Sequence, residues 1–164
     1  MSALLIRLID RGPVLYLSKR AGKSNKSFVM PKLRTMRVDA PEVASHLLED
    51  VHLHVTSVGS ILRKYSLDEL PQFWSVLKGD MSLVGPRPIL FSQVELIDLR
   101  AQAGVSQLLP GITGWAQING RDALKDDEKL ALDIEYMQRC TLMFDIKILA
   151  LTVIRVIKAQ SISH

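Results

Sequence analysis

The longest uninterrupted periodic stretch of this chain spans residues 142–159, and it constrains the fold more than any other feature. At 100° per residue, Leu142, Ile146, Leu149, Val153, Val156 and Ile157 fall on one broad face. Lys147, Arg155 and Lys158 fall on the other side with Asp145 and Thr152. The pattern predicts an amphipathic C-terminal helix. Its apolar face has two possible homes: a protein core, or a membrane interface where the cations meet lipid phosphates. No segment approaches the roughly 20 apolar residues that a bilayer span requires. The first residues are too short and too charged for a secretory signal.

Upstream, the chain is cut into short pieces. Residues 4–9 read as the stub of an apolar helix, broken by Gly12-Pro13. Residues 14–17 and 28–30 read as two short strands joined by the polar loop 20–26, a small hairpin. Pro41-Glu42 can open a helix, with Ala44, Leu47, Leu48 and Val51 at helical spacing, and residues 57–64 form another. There is no repeat, no low-complexity tract and no domain linker. A chain of 164 residues is then one domain, residues 1–164, long enough to bury a core. The expected class is α/β in the α+β sense: a single helix-rich compact domain with a small β-hairpin. No strand–GxGxxG–helix pattern appears, which excludes a Rossmann domain.

Lys and Arg total 21 against 17 Asp and Glu, a formal charge of +4 with histidine neutral. That surplus suits solubility or attraction to phosphate. No basic stripe is interleaved with aromatic residues, so nucleic acid is not the expected partner. Cys140 is the single cysteine, which excludes an internal disulfide and a cysteine zinc site. His46, His52 and His54 lie close in sequence, and His52 and His54 would share one face of a strand. No fourth ligand accompanies them, so they read as ordinary surface or core histidines.

The chemistry concentrates elsewhere. Ser66-Leu67-Asp68-Glu69-Leu70-Pro71 sets two adjacent carboxylates at a helix start. Ser66 and Glu69 have capping-box spacing, and Asp68 in a first turn would complement the helix dipole. Pro71 and Trp74 are odd choices for a plain solvent-facing start. Arg63 lies five residues before Asp68, either as a surface arginine or as a phosphate contact. In Gly85-Pro86-Arg87-Pro88 the flanking prolines stiffen the backbone and hold a guanidinium ready for bidentate phosphate contact. Residues 110–121 carry Gly111, Gly114 and Gly120, which permit close backbone approach to a ligand, then Arg121. Gln117 and Asn119 could read uracil or sugar hydroxyls. Lys32 and Arg34 alternate on an extended segment and project to one side, Lys32 being the better phosphate contact.

These segments, in this order and with Lys32-Leu33-Arg34-Thr35-Met36 upstream, resemble the bacterial sugar transferase family of monotopic phosphoglycosyl transferases. The resemblance runs from about Gly12 to the C-terminus. It implies transfer of a sugar-1-phosphate from a UDP-sugar donor to a polyprenyl (undecaprenyl) phosphate acceptor, the step that initiates lipid-linked glycans. It implies that Asp68 attacks the sugar-bearing phosphate, forming a phosphosugar-aspartyl intermediate and releasing UMP, while Glu69 handles a proton or orients nucleophile or metal. Mg²⁺ on Asp68 and Glu69, with substrate phosphates completing its shell, is the expected cofactor. Lys32, Arg63, Arg87, Arg121 and Gln117 are the expected substrate contacts. The family also has acids near Asp133 and Asp145, with Tyr136 between them, which rank below the Asp68-Glu69 pair. Its members lie at the cytoplasmic face of the bacterial inner membrane, so an anionic membrane surface is an expected partner. They usually carry an N-terminal membrane-entering segment, and the expectation here is that this segment is absent. The alternative is a non-catalytic nucleotide-sugar-binding or membrane-surface remnant of the same family.

Overall fold

A computed structural model of the chain describes residues 6–7, 12–41, 51–120 and 123–161. The architecture is α+β, as expected. Strands β1 (Leu15–Ala21) and β2 (Ser27–Leu33) form the antiparallel hairpin, with Leu15 opposite Leu33 and Ala21 opposite Ser27. The strands run further into the polar loop than the apolar residues alone suggest. A tight turn at Lys23–Asn25 closes them, with Ser24 and Asn25 at positive φ. Alternation along β2 buries Phe28 and Met30 and leaves Val29 exposed.

Helix α1 (Val51–His54) is a short turn of helix, which corrects the strand expected at His52 and His54. Extended backbone resumes only at Val55, bridged to Met36. The helix expected to open at Pro41-Glu42 otherwise lies outside the described residues. Helix α2 (Ser57–Lys64) forms where expected, capped by Thr56, whose hydroxyl accepts from the Gly59 amide at 2.9 Å. Gly59 lets α2 lie against the backbone of Thr35, because a Cβ there would collide with it. Val58 and Leu62 of α2 bury Ile6 from the N-terminal stub, beside Val14, Leu33 and Leu67.

Helix α3 (Gln72–Leu77) follows, then β3 (Ser82–Val84), α4 (Val94–Gln102), β4 (Gly111–Thr113), α5 (Trp115–Asn119) and α6 (Asp126–Arg139). Strands β3 and β4 pair in parallel, Ser82 with Gly111 and Val84 with Thr113. The chain from Leu70 to Leu77 has an inverted pattern. Its polar Gln72 and Ser75 are only 2% and 1% exposed, whereas Leu70, Phe73, Trp74 and Leu77 are exposed, Leu77 by 80%. Those four apolar residues recur at i, i+3, i+4 and i+7, one helical stripe turned outward.

The long helix α7 (Leu142–Ser161) is present, but its buried side is not the broad apolar face. Phe144 and Ile148 enter the core with Val84, Ile118 and Tyr136, and Leu149 and Leu151 pack against them. Trp115 and Phe144 rings lie 5.0 Å apart between centroids. Thr152 donates to the Ile148 carbonyl at 2.8 Å, so at the 2.8 Å contact with Thr113 it is the Thr113 hydroxyl that donates. Leu142, Met143, Ile146, Val153, Ile154 and Ile157 remain exposed. Among the described residues no helix is long and apolar enough to cross a membrane.

Candidate active site

Asp68 and Glu69 sit on a single 3₁₀ turn, Leu67–Glu69, between α2 and α3. The capping box expected from Ser66 and Glu69 does not form. Ser66 takes a left-handed conformation at φ 53° and its side chain caps nothing. A non-glycine residue there is strained by about 1 kcal/mol. The reversal turns the two carboxylates away from a helix N-terminus and toward the hairpin, where Lys32 of β2 donates to Glu69 Oε1 at 3.0 Å.

Arg87 approaches the same oxygen at 3.8 Å. Its backbone is tied on every side. The Gly85 amide donates to the Thr113 carbonyl at 2.9 Å, the Pro86 carbonyl accepts from the Gly111 amide at 2.9 Å, and the Ile89 carbonyl accepts from the Ala21 amide at 3.0 Å. The Arg87 carbonyl accepts from the Arg100 guanidinium of α4 at 2.7 Å. Arg100 in turn donates through Nε and NH2 to Asp133 Oδ2 of α6, at 2.9 and 2.6 Å. The glycines of the second segment serve this docking. A Cβ at Gly111 or Gly114 would strike the backbone of Gly85, so they admit the Pro-Arg-Pro loop rather than a ligand, correcting the expectation.

Arg63, at the end of α2, donates to the Thr35 hydroxyl at 2.9 Å, which aims it across the turn. Lys32, Arg63, Asp68, Glu69, Arg87 and Gln117 all line one cavity of about 540 Å³. Arg121 lies outside the described residues. The sequence pattern thus brings together residues from four separate segments. It missed Arg100, which lines the same cavity, because nothing marks an arginine in the last turn of a helix as the partner of an aspartate 33 residues away. Arg20, Arg37 and Lys129 add further positive charge to the wall. Asp133 and Asp145 are structural in this arrangement: the first pairs with Arg100, and the second accepts from the Tyr136 hydroxyl at 2.9 Å.

Burial sets the electrostatics. It pushes the Asp68 carboxyl above its ordinary range, an effect opposed by the Lys32 charge and reinforced by Glu69. It pulls Lys32 down against the attraction of Glu69, and lowers Arg63 against that of Asp68. Burial likewise raises Asp133, with Arg100 opposing. The turn therefore holds two acids of unequal character. Glu69 meets two cations, Lys32 and Arg87, while Asp68 is the acid less committed to protein partners, and burial works against its ionisation.

Among the described residues no cluster of three or more His, Cys, Asp or Glu could enclose a metal. The donor set suits a hard cation held by one or two carboxylates and completed by ligand phosphates, as Mg²⁺ is. Asp68 fits that role best, since Glu69 Oε1 is already occupied by Lys32.

The bacterial sugar transferase family matches residues 1–159. The protein named uncharacterized sugar transferase EpsL of Bacillus subtilis (strain 168) is 43% identical over 160 residues, 98% of this chain and 78% of that protein. The UDP-glucose:undecaprenyl-phosphate glucose-1-phosphate transferase of Escherichia coli (strain K12) is 40% identical over 160 residues, covering 93% of this chain and 34% of that protein. The UDP-N-acetylgalactosamine-undecaprenyl-phosphate N-acetylgalactosaminephosphotransferase of Aeromonas hydrophila is 38% identical over 157 residues, 93% and 37% respectively. The chain thus spans about a third of the length of the last two. With its four sequence segments gathered at one cavity and the family match running almost end to end, the chain belongs to the bacterial sugar transferase family.

Proposed function

We propose that this protein transfers a sugar-1-phosphate from a UDP-sugar to undecaprenyl phosphate. The observation that carries the reading is the Asp68-Glu69 turn facing Lys32, Arg63 and Arg87 across one cavity. In the first displacement an Asp68 oxygen attacks the phosphorus that bears the sugar. The bond from that phosphorus to the UMP oxygen breaks, UMP leaves, and an acyl phosphate to the sugar remains. In the second, an oxygen of the lipid phosphate attacks the same phosphorus and the Asp68 carboxylate leaves. Splitting the transfer lets two bulky anions use one site in turn.

Lys32 and Arg87 neutralise phosphate charge, and Arg87 offers a fork to two phosphate oxygens from a backbone that does not yield. Arg63 flanks the nucleophile. Glu69 holds Lys32 and Arg87 in place between turnovers. Asp68 would be the residue to hold a Mg²⁺ ion, which would supply further charge neutralisation at the phosphates. The raised Asp68 carboxyl is a more basic nucleophile than an ordinary aspartate.

The acceptor's lipid chain requires a membrane, and two outward apolar surfaces support an interfacial seat. One is the Leu70–Leu77 stripe directly after the catalytic turn; the other is the exposed apolar side of α7, with Lys147 and Arg155 also exposed. The seat proposed is the cytoplasmic, anionic leaflet.

The test is UMP release from a panel of UDP-sugars with undecaprenyl phosphate and Mg²⁺, for wild type and Asp68→Asn. Wild type turns over at least one donor, and Asp68→Asn loses several orders of magnitude. The loss is not unfolding. An acid whose folded pKa is raised weakens the fold as pH climbs from its ordinary value through the raised one, so at neutral pH Asn relieves a penalty. Asp68→Asn therefore melts at the wild-type temperature or above. Near-normal turnover by Asp68→Asn, or no UMP release from any donor, overturns the reading.

A further inference from the structure

Tyr16 and Lys32 are direct partners across the hairpin. Their side chains leave the same face side by side, with Cβ atoms about 5 Å apart. Both line the cavity, and Lys32 reaches on to Glu69. Tyr16 is 38% exposed, so an aromatic ring with accessible surface stands beside a phosphate-binding cation. The residues that flank the open end of the hairpin, Pro13, Leu33, Met36 and Val38, line the same cavity and carry no charge. Toward the hairpin turn, the same face of β1 carries Arg20 on the cavity wall instead. One stretch of wall next to Lys32 is therefore aromatic and apolar, and the rest is cationic.

Three parts of the two substrates need a place beside the phosphates: the sugar, the base and the lipid chain. A hexose shows hydroxyls around its whole rim and needs several polar partners, whereas the Thr35 hydroxyl at this end already accepts from Arg63. A lipid chain needs a bilayer, and the exposed stripes at Leu70–Leu77 and on α7 meet that need elsewhere. A nucleobase has flat faces to cover and polar edges to leave in water. A partly exposed aromatic ring in a cavity wall suits it, because every base has a face that stacks. We propose that Tyr16 is the platform on which the uracil of the donor stacks, with the phosphate of the same nucleotide held beside it by Lys32. The inference rests on the UDP-sugar reading for the identity of the nucleotide and adds the residue that grips its base.

Calorimetric titration of UMP and of ribose 5-phosphate into wild type, Tyr16→Phe and Tyr16→Ile tests it. The two ligands share sugar and phosphate and differ by the base. Phe keeps the ring, and Ile removes it while remaining an apolar residue at home in a strand. Wild type and Tyr16→Phe bind UMP at least about tenfold more tightly than ribose 5-phosphate, the worth of one base stacked on an aromatic ring. Tyr16→Ile binds the two within about threefold of each other. Ribose 5-phosphate binds all three proteins alike, so a lost margin is not a lost phosphate site or a lost fold. Four results overturn the proposal: no margin in wild type, a margin that survives in Tyr16→Ile, a margin lost in Tyr16→Phe, or no UMP binding at millimolar concentration. Geranyl phosphate, titrated in parallel, identifies a chain site: if Tyr16→Ile weakens it and leaves UMP unchanged, the ring serves the acceptor and the proposal falls. UMP release from a UDP-sugar by wild type separates the two claims. Turnover without a base margin overturns only the role of Tyr16, and a Tyr16-dependent margin without turnover overturns only the transfer chemistry.

Discussion

Lys32 stands between two acids and serves them differently. It donates directly to Glu69 at 3.0 Å, and its charge lowers the carboxyl of Asp68, which burial otherwise pushes up. In the proposed transfer only ionised Asp68 can attack phosphorus. Lys32→Met removes the opposing cation, so the Asp68 pKa rises further and the acid limb of the kcat/KM profile moves to higher pH. A pH–rate series on wild type and variant with one UDP-sugar checks the shift; an unmoved limb would detach Lys32 from the nucleophile. At this scale the sequence marks residues that the fold gathers at one cavity, but not how they are held. Asp68, Glu69, Lys32, Arg63 and Arg87 stand out by type and motif. The left-handed Ser66 does not, because Ser followed three residues later by Glu is also the spacing of an ordinary helix cap.

The Pro-Arg-Pro loop shows how elements combine to fix a single side chain. Gly111 and Gly114 admit Gly85, the hairpin grips Ile89, and Arg100 bridges the Arg87 carbonyl to Asp133. Arg100→Ala would strand Asp133, 2% exposed, without its cation. Urea denaturation should register a loss of about 3–5 kcal/mol, the usual consequence of breaking a buried pair from one side. A loss below about 1 kcal/mol would show the pair to be dispensable. The helices expected at 57–64 and 142–159 were legible from periodicity. The orientation of α7 was not, because Phe144, Ile148 and Leu151 form a second, narrower apolar stripe opposite the broad one, among the cations, and only packing against Trp115 and Tyr136 selects it.

The described residues form a small α+β fold whose cavity gathers cations and whose surface keeps two apolar stripes outside. That surface predicts interfacial binding with an electrostatic share. Flotation with vesicles containing anionic lipid should be strong at low salt and weaker at high salt, with little binding to zwitterionic vesicles. Arg155→Glu should weaken it further. Equal flotation at both salt levels, or none, would contradict a seat of this kind. The outward stripe at Leu70–Leu77 was only hinted at by Trp74, since an apolar helical stripe in a sequence reads equally as a core face. Which side a stripe occupies is decided by the rest of the fold.

The central claim is that the sugar phosphate passes through Asp68. Intact-protein mass spectrometry after mixing with an accepted UDP-sugar and Mg²⁺, without lipid acceptor, addresses it directly. The account predicts an adduct of one sugar-phosphate per chain, mapped to the peptide containing Asp68, formed with a matching burst of UMP, absent in Asp68→Asn and discharged when undecaprenyl phosphate is added. UMP release that occurs only when acceptor is present, with no adduct on the protein at any time, would contradict it.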